Sequence, residues 1–169
     1  DSQGLVLYSN RQFDKAGYYY DLARKAYGDL VDEKSVSRVE SHVRNAGLMS
    51  KATRFHRDSL WTKNGAVSVY TQVLEEDRED TLAINALVSI GDELETQGRK
   101  HEEGAHYGRA KGRYEAALDI WKTLSGLPKD YAIRVEQSIR LIASCERKLE
   151  AKGRDPRPTG GKSAPAVSE

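Results

Sequence analysis

Between Ala66 and Leu94 the apolar residues recur along one side of a helix, stop at a short polar run, and begin again. Ala66, Val69, Tyr70, Val73 and Leu74 are spaced 3, 1, 3 and 1, one stripe of a 3.6-residue period. Glu79–Asp80 interrupts it, and Leu82, Ala83, Ala86, Leu87, Ile90 and Leu94 then repeat the stripe. Neither stripe can be hidden by its own helix. The pattern therefore predicts two helices packed on each other and on further helices.

The flanking sequence extends this pattern in both directions. Gly4–Tyr8 reads as the end of a first helix, and Phe13 to Val31 as a long second one. Its buried side is marked by Ala16, Tyr20, Ala23, Ala26 or Tyr27, and Leu30. Successive helical residues turn by about 100°, so at most one or two of Tyr18, Tyr19 and Tyr20 belong to the core. The others are candidates for a contact surface. Ser35 is the expected N-cap of a stripe through Val36, Val39, Val43 and Ala46. The weak helix formers Asn45–Gly47 predict a break there, with the helix resuming towards Phe55 and Trp61. Asn64–Gly65 then separates this segment from the Ala66 helix.

Gln97–Gly98 is the expected end of the first helix of the second half. Tyr107, Ala110, Tyr114, Ala117, Trp121 and Leu124 are spaced 3, 4, 3, 4 and 3, which favours one long helix from His101 to Leu124, with a bend near Gly112 as the competing reading. Gly104, Gly108, Gly112 and Ala116 fall at intervals of four on another stripe and predict close approach of a neighbouring helix. Gly126–Pro128 ends this element and Asp130 caps the last one, whose buried side is read as Ile133, Ser138 or Val135, Ile139, Ile142, Cys145 and Leu149. Residues 1–152 are thus expected to form one all-α domain of about six to seven helices. Residues 153–169, rich in Pro, Gly and Ser, form a flexible tail with too little apolar surface to order itself.

At these residues the chain resembles a tetratricopeptide repeat protein, a family of antiparallel helix pairs with a repeat of about 34 residues. Ala66, Tyr70 and Val73 match the rhythm of the repeat's second helix; Ile84 and Leu87 match large positions of the next first helix. Gln12–Ala16 with Tyr20 and Ala23, and Gly112–Ala117 with Trp121 and Leu124, resemble two further second helices. The departures are specific. Arg78 stands where Pro is common, Val88 and Gly91 replace the usual Gly and Tyr, and Ala16, Ala66 and Ala117 are 50 and 51 residues apart. The resemblance covers roughly residues 5–150 and implies a right-handed α-solenoid of helix hairpins; a generic helical bundle is the other reading.

Charge changes the picture more than composition does. The net charge is only +1, yet residues 34–64 carry seven Lys/Arg against two Asp/Glu, residues 65–97 one against eight, and residues 98–154 thirteen against eight. Such blocks either pair across neighbouring helices or form patches that steer a charged partner. Arg38, Arg44, Lys51, Arg54 and Arg57, with Phe55 and Trp61 nearby, make a basic strip that would suit nucleic acid, the weaker reading. No apolar run approaches the ~18 residues of a membrane span. No signal peptide is legible, which slightly favours a cytoplasmic protein, while the opening at Asp1 rather than Met leaves a processed or exported form open.

The candidate chemistry is thin. Gly160–Ser163 ends like a phosphate-binding loop, but Pro156 stands where that pattern needs Gly. His101 and His106 are five apart, about 140° around a helix, and cannot share a zinc as an i, i+4 pair does. Cys145 lies in a helical setting and reads as a small core residue. No nucleophile–base arrangement, cofactor motif or metal-ligand spacing is present, which argues against an enzyme. The favoured function is a scaffold that binds a peptide or helix of another protein, with a structural subunit of a larger complex as the alternative. The resemblance implies that the first helices of each pair line a groove, so that Asn85, Ser89 and Asp92 face the partner. Asp92, Glu93 and Glu95 would then form an acidic rim suited to a basic partner segment.

Overall fold

The two stripes flanking Glu79–Asp80 become α4 (Ala66–Glu76) and α5 (Thr81–Glu103) in the computed structural model, which describes residues 2–29, 33–57, 65–127 and 131–154. Before them come α1 (Ser2–Ser9), α2 (Phe13–Asp29) and α3 (Glu33–Arg57); after them come α6 (Tyr107–Leu124) and α7 (Ala132–Arg154). The described residues are therefore all-α, with seven helices and no strand. None of these helices is long and apolar enough to cross a membrane. Helix α7 runs through Gly153 and Arg154, two residues past the expected start of the tail; the rest of that tail, and the expectations for Leu30, Trp61, Asn64, Pro128 and Asp130, lie outside the described residues.

Each helix packs chiefly on its neighbours in sequence, and the pairs run antiparallel. Tyr20 meets His42 while Asp14 accepts a hydrogen bond from Ser50, across α2 and α3. Arg44 pairs with Glu76, and His56 with Tyr70, across α3 and α4. Gly91 lies under Trp121, and Gly98 under Tyr114, across α5 and α6. The main core runs from Phe13 and Met49 through α4 and α5 to Trp121, Leu124 and Tyr131. Smaller clusters extend it at both ends, around Ala16, Tyr20 and Val39 and around Ala110, Tyr114 and Cys145.

The start of α5 shows how local chemistry fixes this packing. Asp80 is its N-cap, one carboxylate oxygen accepting the Ala83 N–H at 2.8 Å. The other oxygen takes the Tyr8 hydroxyl at 2.5 Å, tying α1 to a turn 72 residues away. Burial first, and then the Asp80 contact, raise the Tyr8 pKa, so the phenol remains a donor.

Several boundaries differ from the sequence expectation. α3 is already helical at Glu33, so Ser35 lies inside its first turn rather than capping it. The helix also runs unbroken through Asn45–Gly47: Asn45 and Ala46 are buried, and Ala46 packs over Gly17 of α2, so tertiary contact outweighs weak propensity. Gly98 does not end α5, and the expected long helix is divided at Gly104–His106 rather than bent at Gly112. Gly108 and Gly112 face open space and admit no close helix. On α7 the buried side is Ser138 and Cys145 flanked by Val135, Leu141 and Ile142, whereas Ile133, Ile139 and Leu149 are exposed.

The α5–α6 turn carries a correctable strain. Ala105 N–H bonds back to Glu102 and His106 N–H to His101, closing the helix with Ala105 in the left-handed region at φ 56. Gly104, which would adopt that conformation freely, stands one residue too early, at φ −80. A left-handed L-residue costs roughly 1–2 kcal/mol, partly offset by the larger unfolded-state entropy of glycine. Ala105→Gly is therefore expected to stabilise the protein by about 0.5–1 kcal/mol, read as a higher urea midpoint at unchanged slope; a lower midpoint would contradict this account.

Candidate interaction groove

α5 turns Leu87, Ile90 and Leu94 into the core, which leaves a polar stripe on its other side. Asn85, Ser89, Asp92 and Thr96 are spaced 4, 3 and 4, and all are exposed. Across from them stand Thr53 and His56 of α3 and Arg11 of the α1–α2 turn. Between the two walls lies a hollow of about 320 Å³, floored by Phe13, Met49, Tyr70 and Leu82. His56, Asn85 and Ser89 also line a second hollow of about 550 Å³ that continues past Asp92 and Glu93 to Thr96. In the other direction Arg11, Phe13 and Thr53 are shared with a third, about 430 Å³, which adds Asp14, Lys15, Ser50 and Arg54. The three hollows adjoin at these shared residues and together make up the candidate groove.

Apart from Arg11, the side chains in the middle of this groove are uncharged at neutral pH. Burial, and then the Arg11 guanidinium, lower the His56 pKa below its ordinary 6.5, so the imidazole is neutral at pH 7. Its Nδ1 lies 3.4 Å from the Tyr70 hydroxyl. Burial raises the Tyr70 pKa, against Thr53 and Arg11, which lower it, and the phenol stays protonated. With the Asn85 amide and the Ser89 hydroxyl, this region offers hydrogen-bond donors and acceptors.

The structure thus brings Asn85, Ser89 and Asp92 together on one wall and places Arg54 at the far end of the same groove. The Arg57 side chain lies outside the described residues. His56, Thr53, Lys15 and Arg11 were not singled out for the groove. Thr96 could have been found by extending the 85–89–92 spacing one more turn, but nothing in the letters folds the α1–α2 turn against α5.

The expected acidic rim is largely spent inside the protein. Glu95 is only 4% exposed. Its carboxylate accepts the Trp121 indole N–H at 2.8 Å and pairs with Arg134 at 3.2 Å. Arg134 also binds Asp92 at 2.5 Å and stacks its guanidinium 4.2 Å from the Trp121 ring. Glu93 is left as the carboxylate of this rim without an ion pair among the described residues. The basic strip is likewise reduced, since Arg44 pairs with Glu76 at 3.1 Å. His101 and His106 flank the α5–α6 turn rather than sharing one helix, their rings 6.4 Å apart.

In comparisons with known proteins, the chain matches no family model, no curated protein and no solved structure.

Proposed function

We propose that this protein is a non-catalytic interaction scaffold, a tetratricopeptide-like array whose groove between α3 and α5 holds an extended segment of a partner protein. The observation that carries this reading is the α5 stripe Asn85–Ser89–Asp92–Thr96, exposed and lining two adjoining hollows whose other wall includes His56. Asn85 offers two donors and an acceptor, the complement of a peptide group. Antiparallel packing of successive helices, and the alternation that leaves α3 and α5 flanking one groove, agree with the repeat resemblance.

The experiment is a displayed library of random nine-residue peptides, followed by affinity measurement on the purified protein. Ser89→Trp, which fills the hollow, should weaken the selected peptides at least about tenfold, equivalent to about 1.4 kcal/mol, with an unchanged melting curve. Failure to select any peptide, or binding indifferent to Ser89→Trp and Asn85→Ala, would remove the groove reading.

The structural-subunit reading has its own observation. Leu5, Val6, Tyr18, Tyr19 and Leu22 of α1 and α2 are each exposed, and Val6 and Tyr19 line one hollow; exposed large apolar side chains of this kind mark contact with another protein where they cluster.

A further inference from the structure

We infer that the partner segment is acidic, and that its carboxylates are seated at the Arg11–Lys15–Arg54 end of the groove rather than at the α5 end. This rests on the groove reading above and reverses the partner charge expected from the sequence.

The two ends of the groove differ in how their charges are satisfied. At one end Arg11, Lys15 and Arg54 surround a hollow of about 430 Å³, and none of the three makes an ion pair among the described residues. The one carboxylate beside them, Asp14, accepts a hydrogen bond from Ser50 at 2.6 Å. Among the described residues, that end therefore sets three cations without an ion pair against one anion. At the other end Asp92 is held by Arg134, and Glu93, bonded to Gln97 of its own helix at 3.1 Å, keeps its negative charge. An acidic segment is drawn to the first end and repelled from the second, which fixes its direction along α5.

Arg11 connects the two regions. It lines both the cationic hollow and the hollow beside His56, where it is the one charged side chain, and it projects from a left-handed position at φ 60. A backbone conformation that disfavours every L-residue is occupied here by the longest cationic side chain, at the point where the groove turns from α3 to α5. From Leu82 to Thr96 the α5 wall is about 21 Å long at 1.5 Å per residue, the reach of about six extended residues. The cationic hollow adds room for two or three more. The occupant is thus an extended protein segment of about nine residues, two or three acidic residues at one end and an uncharged remainder. Nucleic acid carries its charge throughout and would place phosphates against Glu93.

The test uses the full chain and fluorescein-labelled nine-residue peptides. One carries three Glu at one end followed by Ser, Tyr and Ala residues; a second has Gln, and a third Lys, in place of Glu. The Glu peptide should bind about tenfold tighter than the Gln peptide at low salt, with the preference shrinking as salt rises. Lys15→Glu combined with Arg54→Glu should abolish that preference and transfer it to the Lys peptide, while the melting temperature stays within about 1 °C. Both side chains are on the surface, and exchange of preference is a result that misfolding cannot produce. Equal affinity for all three peptides in a groove still sensitive to Ser89→Trp would overturn the charge assignment alone. Loss of all peptide binding would overturn the groove itself. A single-stranded oligonucleotide that displaces the Glu peptide and binds with the steeper salt dependence would replace the acidic segment by nucleic acid.

Discussion

Glu95→Ala is expected to destabilise the protein by about 3 kcal/mol, a fall in melting temperature of roughly 6–12 °C for a chain of this size. The magnitude follows from what the carboxylate leaves behind. Trp121 is fully buried and its indole N–H has Glu95 as its acceptor at 2.8 Å; stranding such a donor costs about 1–3 kcal/mol. Arg134 also loses its 3.2 Å partner. Removing one member of a fully buried ion pair costs about 3–5 kcal/mol, but the Arg134 side chain is 32% exposed and still holds Asp92, so only a fraction of that applies. Glu95→Gln preserves an acceptor for Trp121 and is expected to cost only about 1 kcal/mol. In an Arg134→Ala background the Glu95→Ala effect should shrink measurably, because the two residues share one network. Urea unfolding of the four proteins gives the cycle. A Glu95→Ala midpoint within error of the parent would refute the buried network.

The misreading of Glu95 shows what the letters carried and where they stopped. Next to Asp92 and Glu93 it looks like part of an acidic surface. Its register says otherwise: Leu87, Gly91, Leu94, Glu95 and Gly98 fall on one side of α5, and that side is buried. An acidic residue on an apolar stripe demands a partner, and Trp121, on an equally regular stripe of α6, brings the N–H that answers it. The stripes of α4, α5 and α6 were legible because amphipathic periodicity is local. Antiparallel pairing of neighbours follows from short connections. The groove was half legible: Asn85, Ser89 and Asp92 share a face by spacing alone. Its other wall depends on His56, Thr53 and Arg11, brought there by the packing of α1–α2 and α3 against α5, and no local pattern encodes that. Helix ends were least legible. At Asn45–Gly47 and Gly98, packing against α2 and α6 outweighs intrinsic propensity.

The glycines of α5 and α6 give the sharpest consequence of that competition, because one chemical change should have opposite signs on facing helices. A Cβ on Gly91 would lie 2.5 Å from the Trp121 ring, and one on Gly98 closer still to the Tyr114 ring. Both rings are fully buried, and Trp121 is confined further by Arg134 and by stacking on Tyr131. Neither ring can yield without disturbing the α5–α6 interface. Gly91→Ala and Gly98→Ala are each expected to cost about 1–3 kcal/mol by overpacking, despite a gain in helix propensity of just under about 1 kcal/mol. On α6, Gly108 and Gly112 have nothing within 4 Å of where a Cβ would stand. There the propensity term acts alone, and Gly108→Ala and Gly112→Ala are each expected to stabilise by about 0.5–1 kcal/mol. Gly91 and Gly98 lie about 10 Å apart along the helix axis and meet different rings, so their double variant should be nearly additive. Equilibrium unfolding of the four single variants and that double variant decides the matter. If alanine is tolerated at Gly98 as it is at Gly112, the aromatic rings do not lie on the α5 backbone, and the interface that holds α5 in place behind the groove is not the one described.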